Sequence, residues 1–123
     1  MKRRILVVDD ETECAEMVKL RIEADGYEVA TACNAMEGLQ KAQILNPRLI
    51  LLDVNMPGMD GFQMLNKLRQ TPGTRFIPVV MLTARGETKS IFKAQGCGAT
   101  DYLIKPCDPD TLIEVVRKHA GAD

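Results

Sequence analysis

One histidine, His119, stands among the 123 residues, and no two of the four cysteines (Cys14, Cys33, Cys97, Cys107) have CxxC spacing. That leaves no zinc pattern. The cysteines read as buried or incidental thiols of a reducing compartment. An excess of one charge is also missing: 16 basic residues face 17 acidic ones, for a net charge of −1. No polybasic patch offers a surface to nucleic acid or to a membrane. The first apolar run, Ile5 to Val8, ends in acids and is too short for a signal peptide or a membrane span. Neither GxGxxG nor GxxxxGK[ST] occurs, so the phosphate-cradling loops of nucleotide-binding folds are absent. No internal repeat, linker or low-complexity stretch interrupts the chain. What is present is ordinary for a globular protein, 46% hydrophobic and 27% charged. The expectation is one cytoplasmic domain over 1–123, with no membrane and no direct nucleic-acid contact.

Short apolar runs alternate with amphipathic segments. "RILVV" (4–8) has strand character, and "ETECAEMVKLRIEA" (11–24) places Cys14, Met17, Val18 and Ile22 on one helical stripe, with Leu20 off it. Gly26 closes that helix. "YEVATA" (27–32) alternates as a strand does. Asn34 caps a helix running to about Leu45, with Glu37 at the reciprocal position of a capping box, and "NP" ends it. "LILLD" (49–53) is apolar on both faces. Asp60 caps a helix through about Arg69. "IPVVML" (77–82) is a strand whose Pro78 suits a strand beginning. "ETKSIFKAQG" (87–96) is a short helix, and "TDYLIK" (100–105) a fifth strand. Asp108 caps a last helix with Pro109 at its first position and Leu112, Ile113, Val115 and Val116 facing inward. Five strands alternating with five helices predict an α/β, doubly wound parallel sheet covered on both faces.

The polar residues at the strand ends then gain meaning. In open α/β sheets, sites form outside the carboxyl ends of the strands. Asp9 and Asp10 follow "ILVV", Asp53 ends "LILLD", Thr83 follows "VVML" and Lys105 follows "YLI". All five fall at the same sheet edge. Carboxylates held close raise one another's pKa and stay ionised together only if a cation joins them. Oxygen ligands favour a hard cation, and Mg²⁺ suits a site with few protein ligands; Mn²⁺ can substitute. A carboxylate can act as the nucleophile and become an acyl phosphate. Metal, ammonium and hydroxyl groups then position the phosphoryl group and stabilise its charge. Asp53 as nucleophile, Asp9 and Asp10 with the metal, Lys105 and Thr83 around the phosphoryl group make a complete set.

The stretches "ILVVDDE", "LILLDVNMPGMDGF", "IPVVMLTA" and "GATDYLIKP" occur in that order. With them the chain resembles, over nearly its whole length, the receiver domain of two-component response regulators. The resemblance implies the flavodoxin-like strand order 2-1-3-4-5 and phosphate acceptance at Asp53. It implies Mg²⁺ held by Asp10, Asp53 and the backbone carbonyl of Asn55, with Asp9 acting largely through water. It implies phosphoryl contacts from Lys105 and Thr83, and a cis Lys105–Pro106 bond. The switch pair falls on Thr83 and Tyr102: the hydroxyl moves toward the phosphate and the tyrosine turns in behind it. The surface expected to respond is "ARGETKSIFKAQG" with the strand-five face. Asn55 and Arg85 flank the line of attack of water and tune dephosphorylation.

The implied partners are a cognate histidine kinase or phosphotransfer protein and an output domain or downstream protein. The oligomeric state stays open, although in the family the face from the helix over 87–96 to the last helix often mediates dimers. The chain carries no output domain after "RKHAGAD", and both a stand-alone regulator and a receiver cut from a longer protein stay open. Catalysis is expected only of its own phosphotransfer and autodephosphorylation. A haloacid-dehalogenase-type phosphatase would need D-x-D, but Asn55 stands at the second position. A receiver-like scaffold that binds without phosphate is the other competing reading, and no motif residue is missing to favour it.

Overall fold

The computed structural model describes residues 3–84, 96 and 98–121. Five strands form one parallel sheet: β1 (Arg4–Val8), β2 (Glu28–Ala32), β3 (Leu49–Asp53), β4 (Val79–Ala84) and β5 (Asp101–Lys105), in the order β2-β1-β3-β4-β5. The described helices are α1 (Thr12–Ala24), α2 (Ala35–Leu45), α3 (Gly61–Gln70) and a C-terminal helix (Pro109–Ala120). The helix expected over 87–96 lies outside the described residues except for Gly96, as do Arg85, Ile91, Phe92 and Cys97.

Alternation along the strands sorts the core into two layers. Leu6, Val8, Ile50, Leu52, Val79 and Met81 face α2 and α3, packing on Ala42, Phe62, Met64, Leu65 and Leu68. Ile5, Val7, Leu49, Leu51, Val80 and Leu82 face the other way, toward Ala15, Val18 and Ile22 of α1 and Leu112, Ile113 and Val116 of the C-terminal helix. β3 is buried along its whole length. This is why "LILL" shows no polar alternation.

Several local expectations shift. Met17 is 73% exposed. The inward stripe of α1 is Ala15, Val18 and Ile22, with Cys14 only half-buried, because a small residue lets the helix lie close to the sheet. Val115 is also only half-buried, at the rim of the C-terminal helix's inward face. Asn34 does cap α2, its side chain accepting from Glu37 N at 2.8 Å. The reciprocal half fails: the Glu37 carboxylate accepts from Cys33, and from Lys41 at 2.9 Å. A full capping box occurs instead on α3, between Asp60 and Gln63. β4 begins at Val79 rather than Ile77, since Pro78 has no N–H for the ladder. It continues through Ala84, so Thr83 is a ladder residue paired with Ile104.

Candidate functional site

The carboxyl ends of β1, β3, β4 and β5 meet at one edge, and the chain's turns there are built to hold carboxylates. Asp9 follows β1 directly, its amide donating to Ala32 O at 3.0 Å. Its side chain is buried and accepts from Glu11 N at 3.0 Å, the residue that precedes α1. Asp53 closes β3, is 4% exposed, and accepts from Asn55 N at 3.2 Å. Asp10 is exposed on the rim of the cleft. One carboxylate oxygen each from Asp9, Asp10 and Asp53 lie within 4.8 Å of one another. Lys105 reaches over from the end of β5: its Nζ lies 2.8 Å from Asp9 Oδ2 and 3.5 Å from Asp53 Oδ2. The Lys105–Pro106 bond is cis.

Gly61 explains how the Pro/Gly-rich turn fits between Asp53 and α3. The first turn of α3 is pressed against the end of β3, with Gly61 N donating to Val54 O at 3.0 Å. A Cβ on Gly61 would stand 2.3 Å from the carbonyl oxygen of Asp53 and 2.9 Å from Val54 Cα. Only a residue without a side chain allows that approach. The sequence reading quoted "GMDGF" but gave Gly61 no role; its signal was a glycine directly after a helix-capping aspartate.

Burial pushes the Asp53 carboxyl up to about 7; Lys105 opposes this and the Asp9 charge adds to it. Asp9 goes the other way. Burial raises it, but the Lys105 ammonium and the Glu11 N–H outweigh burial and hold it below the ordinary carboxylate range. Mutual repulsion was expected to raise the carboxylates together; desolvation is the larger cause at Asp53, and Lys105 shields Asp9 as an internal cation. Lys105 is held charged by the same two carboxylates, against the cost of its own burial. Cys14, beside Asp9, is pushed up to about 11 by burial and by a hydrogen bond to that carboxylate. Burial also raises the half-buried Cys107. Both remain neutral thiols.

Thr83 completes the cleft in an unusual way. It is fully buried, and its Oγ1 has no hydrogen-bond partner among the described residues. A buried hydroxyl of this kind costs ~1–3 kcal/mol unless something binds it. By strand alternation Thr83 shares a face with Met81, which pairs with Tyr102. Tyr102 is half-buried against that same layer. Hydroxyl and tyrosine are therefore diagonal neighbours on one face. Asn55 is exposed at the mouth of the cleft, and Arg85 falls outside the described residues. Among the described residues no helix is long and apolar enough to cross a membrane.

An all-oxygen trio of carboxylates, at the sheet edge where β4 also brings a buried hydroxyl unpartnered among the described residues, fits a hard divalent cation and a phosphoryl group. Comparison with known proteins agrees. The profile of the family described as response regulator receiver domain matches residues 5–117. The DNA-binding dual master transcriptional regulator RpaA of Synechocystis is 39% identical over 114 residues, covering 93% of this chain and 47% of RpaA. Response regulator PleD of Caulobacter vibrioides is 43% identical over 117 residues, 95% of this chain and 26% of PleD. The chain thus spans about half the length of the first relative and about a quarter of the second. The chemotaxis protein CheY4 of Vibrio cholerae superimposes with a TM-score of 0.90 at 34% identity, over 97% of this chain and 99% of that one. The receiver domain of NtrX from Brucella abortus gives 0.89 at 31%, with the same coverage of each chain.

Proposed function

The chain belongs to the response regulator receiver family, and from that premise we propose that Asp53 is the residue that accepts the phosphoryl group. Receivers of this family are phosphorylation-dependent switches of two-component signalling. The observation that carries the assignment is the convergence on Asp53 of two further carboxylates and one ammonium at a single sheet edge.

Asp53 Oδ attacks phosphorus in line with the leaving group. A P–O bond forms to the carboxylate, and the bond from phosphorus to the donor nitrogen or oxygen breaks, its electron pair leaving with the donor. The donor is a histidine kinase or a phosphotransfer protein. Lys105 Nζ stays charged and lies close enough to Asp53 to shift onto a phosphoryl oxygen while keeping Asp9. Thr83 Oγ1 turns its unused hydrogen to another. Asp10, Asp53 and the carbonyl of Asn55 would hold Mg²⁺ or Mn²⁺, with Asp9 behind them. When bound, that cation neutralises the carboxylates and the charge on the transferring oxygens. Asn55 is exposed at the mouth of the cleft, and in this reading Asn55 and Arg85, two residues past Asp53 and Thr83 in sequence, tune the hydrolysis of the acyl phosphate by water, which returns a free carboxylate and inorganic phosphate.

Drawing Thr83 toward the phosphate vacates space diagonal to Tyr102, and the tyrosine turns into it. The face of β5 and the C-terminal helix then changes shape for an output domain or a downstream protein. A ligand moves such a balance only by its differential affinity for the two states. RpaA is named as DNA-binding; in this reading, control of such an output stays with parts outside the receiver fold.

Intact-protein mass after incubation with acetyl phosphate, with and without Mg²⁺, tests the assignment beside an Asp53→Asn control. One Mg²⁺-dependent phosphoryl adduct absent from the control is expected. An equally labelled Asp53→Asn protein would overturn it.

A further inference from the structure

At the opposite end of the sheet, the turns that lead into β3 and β4 enclose a second groove. It has a volume of about 290 Å³ and is lined by Asn46, Pro47, Arg48, Pro72, Phe76 and Pro78, among others. Three of the chain's six prolines stand there. Phe76, one of three phenylalanines, is 85% exposed at its edge. The Arg75 guanidinium lies over the Phe76 ring, 4.9 Å from its centre.

Four other arginines of the described chain are committed. Arg4 pairs with Glu28, Arg21 with Asp110 and Arg117 with Asp25. Arg69 donates to the carbonyls of Arg75, Ile77 and Gly98. Arg48 and Arg75 are both exposed, and neither has a carboxylate partner among the described residues. Arg48 lines the groove, and Arg75 reaches its edge through the Phe76 ring it covers. An arginine stacked on an aromatic ring keeps its donors free for a carboxylate.

The wall that carries Phe76 is rigid. Thr74 is buried, its Oγ1 donating to Leu68 O at 2.7 Å. Thr74 N donates to Thr71 O, Ile77 N to Thr74 O, and Arg69 Nη1 to Ile77 O at 2.8 Å. A preformed wall spares a ligand the entropy of ordering it. The volume is at the low edge of what a cofactor needs, and suits one or two side chains.

We propose that this groove docks an extended acidic segment of a partner protein, one apolar side chain entering between Phe76 and the prolines, with flanking carboxylates on Arg48 and Arg75. The site lies at the start of β3 and Asp53 at its end, roughly 15 Å away along the strand. A partner bound here leaves the phosphorylation cleft open.

The test uses ¹H–¹⁵N spectra of the full ¹⁵N-labelled chain, titrated with the capped peptide Glu-Glu-Leu-Glu-Glu. Peptides with lysine in place of the glutamates, and with alanine in place of the leucine, serve as comparisons. Saturable shifts at amides 46, 48 and 73–77 with the first peptide alone are expected. An Arg48→Glu, Arg75→Glu protein should bind it ~tenfold more weakly, as reversal of two exposed charge pairs implies. Arg48→Gln with Arg75→Gln repeats the comparison should the first variant lose its spectral dispersion. The binding should persist in Asp53→Asn, which separates it from the phosphorylation assignment. No shift at these amides, or equal shifts with the lysine peptide, would overturn the proposal. Shifts of the same amides with protein concentration alone would assign the groove to a second copy instead, and overturn it equally.

Discussion

Replacing Asp53 by asparagine should stabilise the protein when no divalent cation is present. The folded state holds the Asp53 carboxyl at about 7, chiefly through burial. In the unfolded chain an aspartate titrates near ~3.9. Below that value both states are protonated and the residue is neutral to stability. As pH rises from there to about 7, the unfolded state releases its proton while the folded state keeps it, so stability falls. Above about 7 the loss is complete. At ~1.4 kcal/mol per pH unit, the ceiling is ~4 kcal/mol. The value of about 7 already includes the attraction of Lys105, 3.5 Å away, and the opening of the cleft to water at Asp10 eases the ionised form further. The expected gain for Asp53→Asn is therefore ~1–2 kcal/mol at pH 8, shrinking toward zero at pH 4. Urea unfolding in EDTA, followed by far-ultraviolet circular dichroism at both pH values, measures it. Saturating Mg²⁺ should narrow the gap, because the cation binds the wild-type trio more tightly than the asparagine variant. An Asp53→Asn protein that is less stable than wild type at pH 8 would refute the reasoning: Lys105 would then outweigh desolvation.

Three other changes probe neighbouring parts of the molecule. Thr83→Val removes a buried hydroxyl that has no partner among the described residues, so urea unfolding should show stability unchanged or higher by ~1 kcal/mol. The same variant should lose much of the spectral response to beryllofluoride, and a full response would speak against the hydroxyl's part in the switch. Gly61→Ala drives a Cβ into the carbonyl of Asp53 and should cost ~2–3 kcal/mol while weakening Mg²⁺ binding measured by NMR titration; a silent substitution would show that α3 can simply move away. Asp101 is raised by burial, yet the His119 ring at 2.9 Å and the Tyr102 N–H outweigh that and leave it below the ordinary range. Its contribution is thus present above an unfolded aspartate's ~3.9 and fades as pH falls through the lower folded value. Asp101→Asn should flatten the acid limb of the stability curve, and an unchanged limb would remove the pair from the ledger of acid sensitivity.

The parts of this molecule that can be read from sequence are those whose cause is local in the chain. Unbroken apolar runs gave β3 and β4 because a strand buried on both faces leaves no room for polar alternation. Asp60 and Asp108 revealed helix starts because a cap acts within three residues. Asp53 and Lys105 could be matched to one sheet edge because strand direction is common to a parallel sheet. What stayed hidden depends on partners distant in sequence. The Asp9–Lys105 pair spans 96 residues, and only the fold reveals that Lys105 prefers Asp9 over Asp53. The helix stripe of α1 misled because Met17 and Ala15 differ in hydrophobicity in the wrong direction: the small residue is inside where the helix sits close, the large one outside.

That preference of Lys105 bears on how the cleft works. With the ammonium closer to Asp9, Asp53 is left as the least compensated buried group on the edge, and Thr83, one residue past Asp53's ladder partner Leu82, is an unused donor among the described residues. Neither state is comfortable for a folded protein, and both are relieved by the same event. A cation draws the carboxylates into their ionised form, and a phosphoryl group gives Lys105 and Thr83 acceptors to bind. The cleft is therefore destabilised where it must react, while the layers beneath it, from Ile50 and Leu52 to Leu65 and Leu68, are packed without exposure. Under the proposed phosphorylation at Asp53, stability held in the sheet and withheld from its edge would let that one charge-changing modification move Thr83 without unfolding β4. A site whose hydroxyl and carboxylates were already satisfied would have no such gradient to follow.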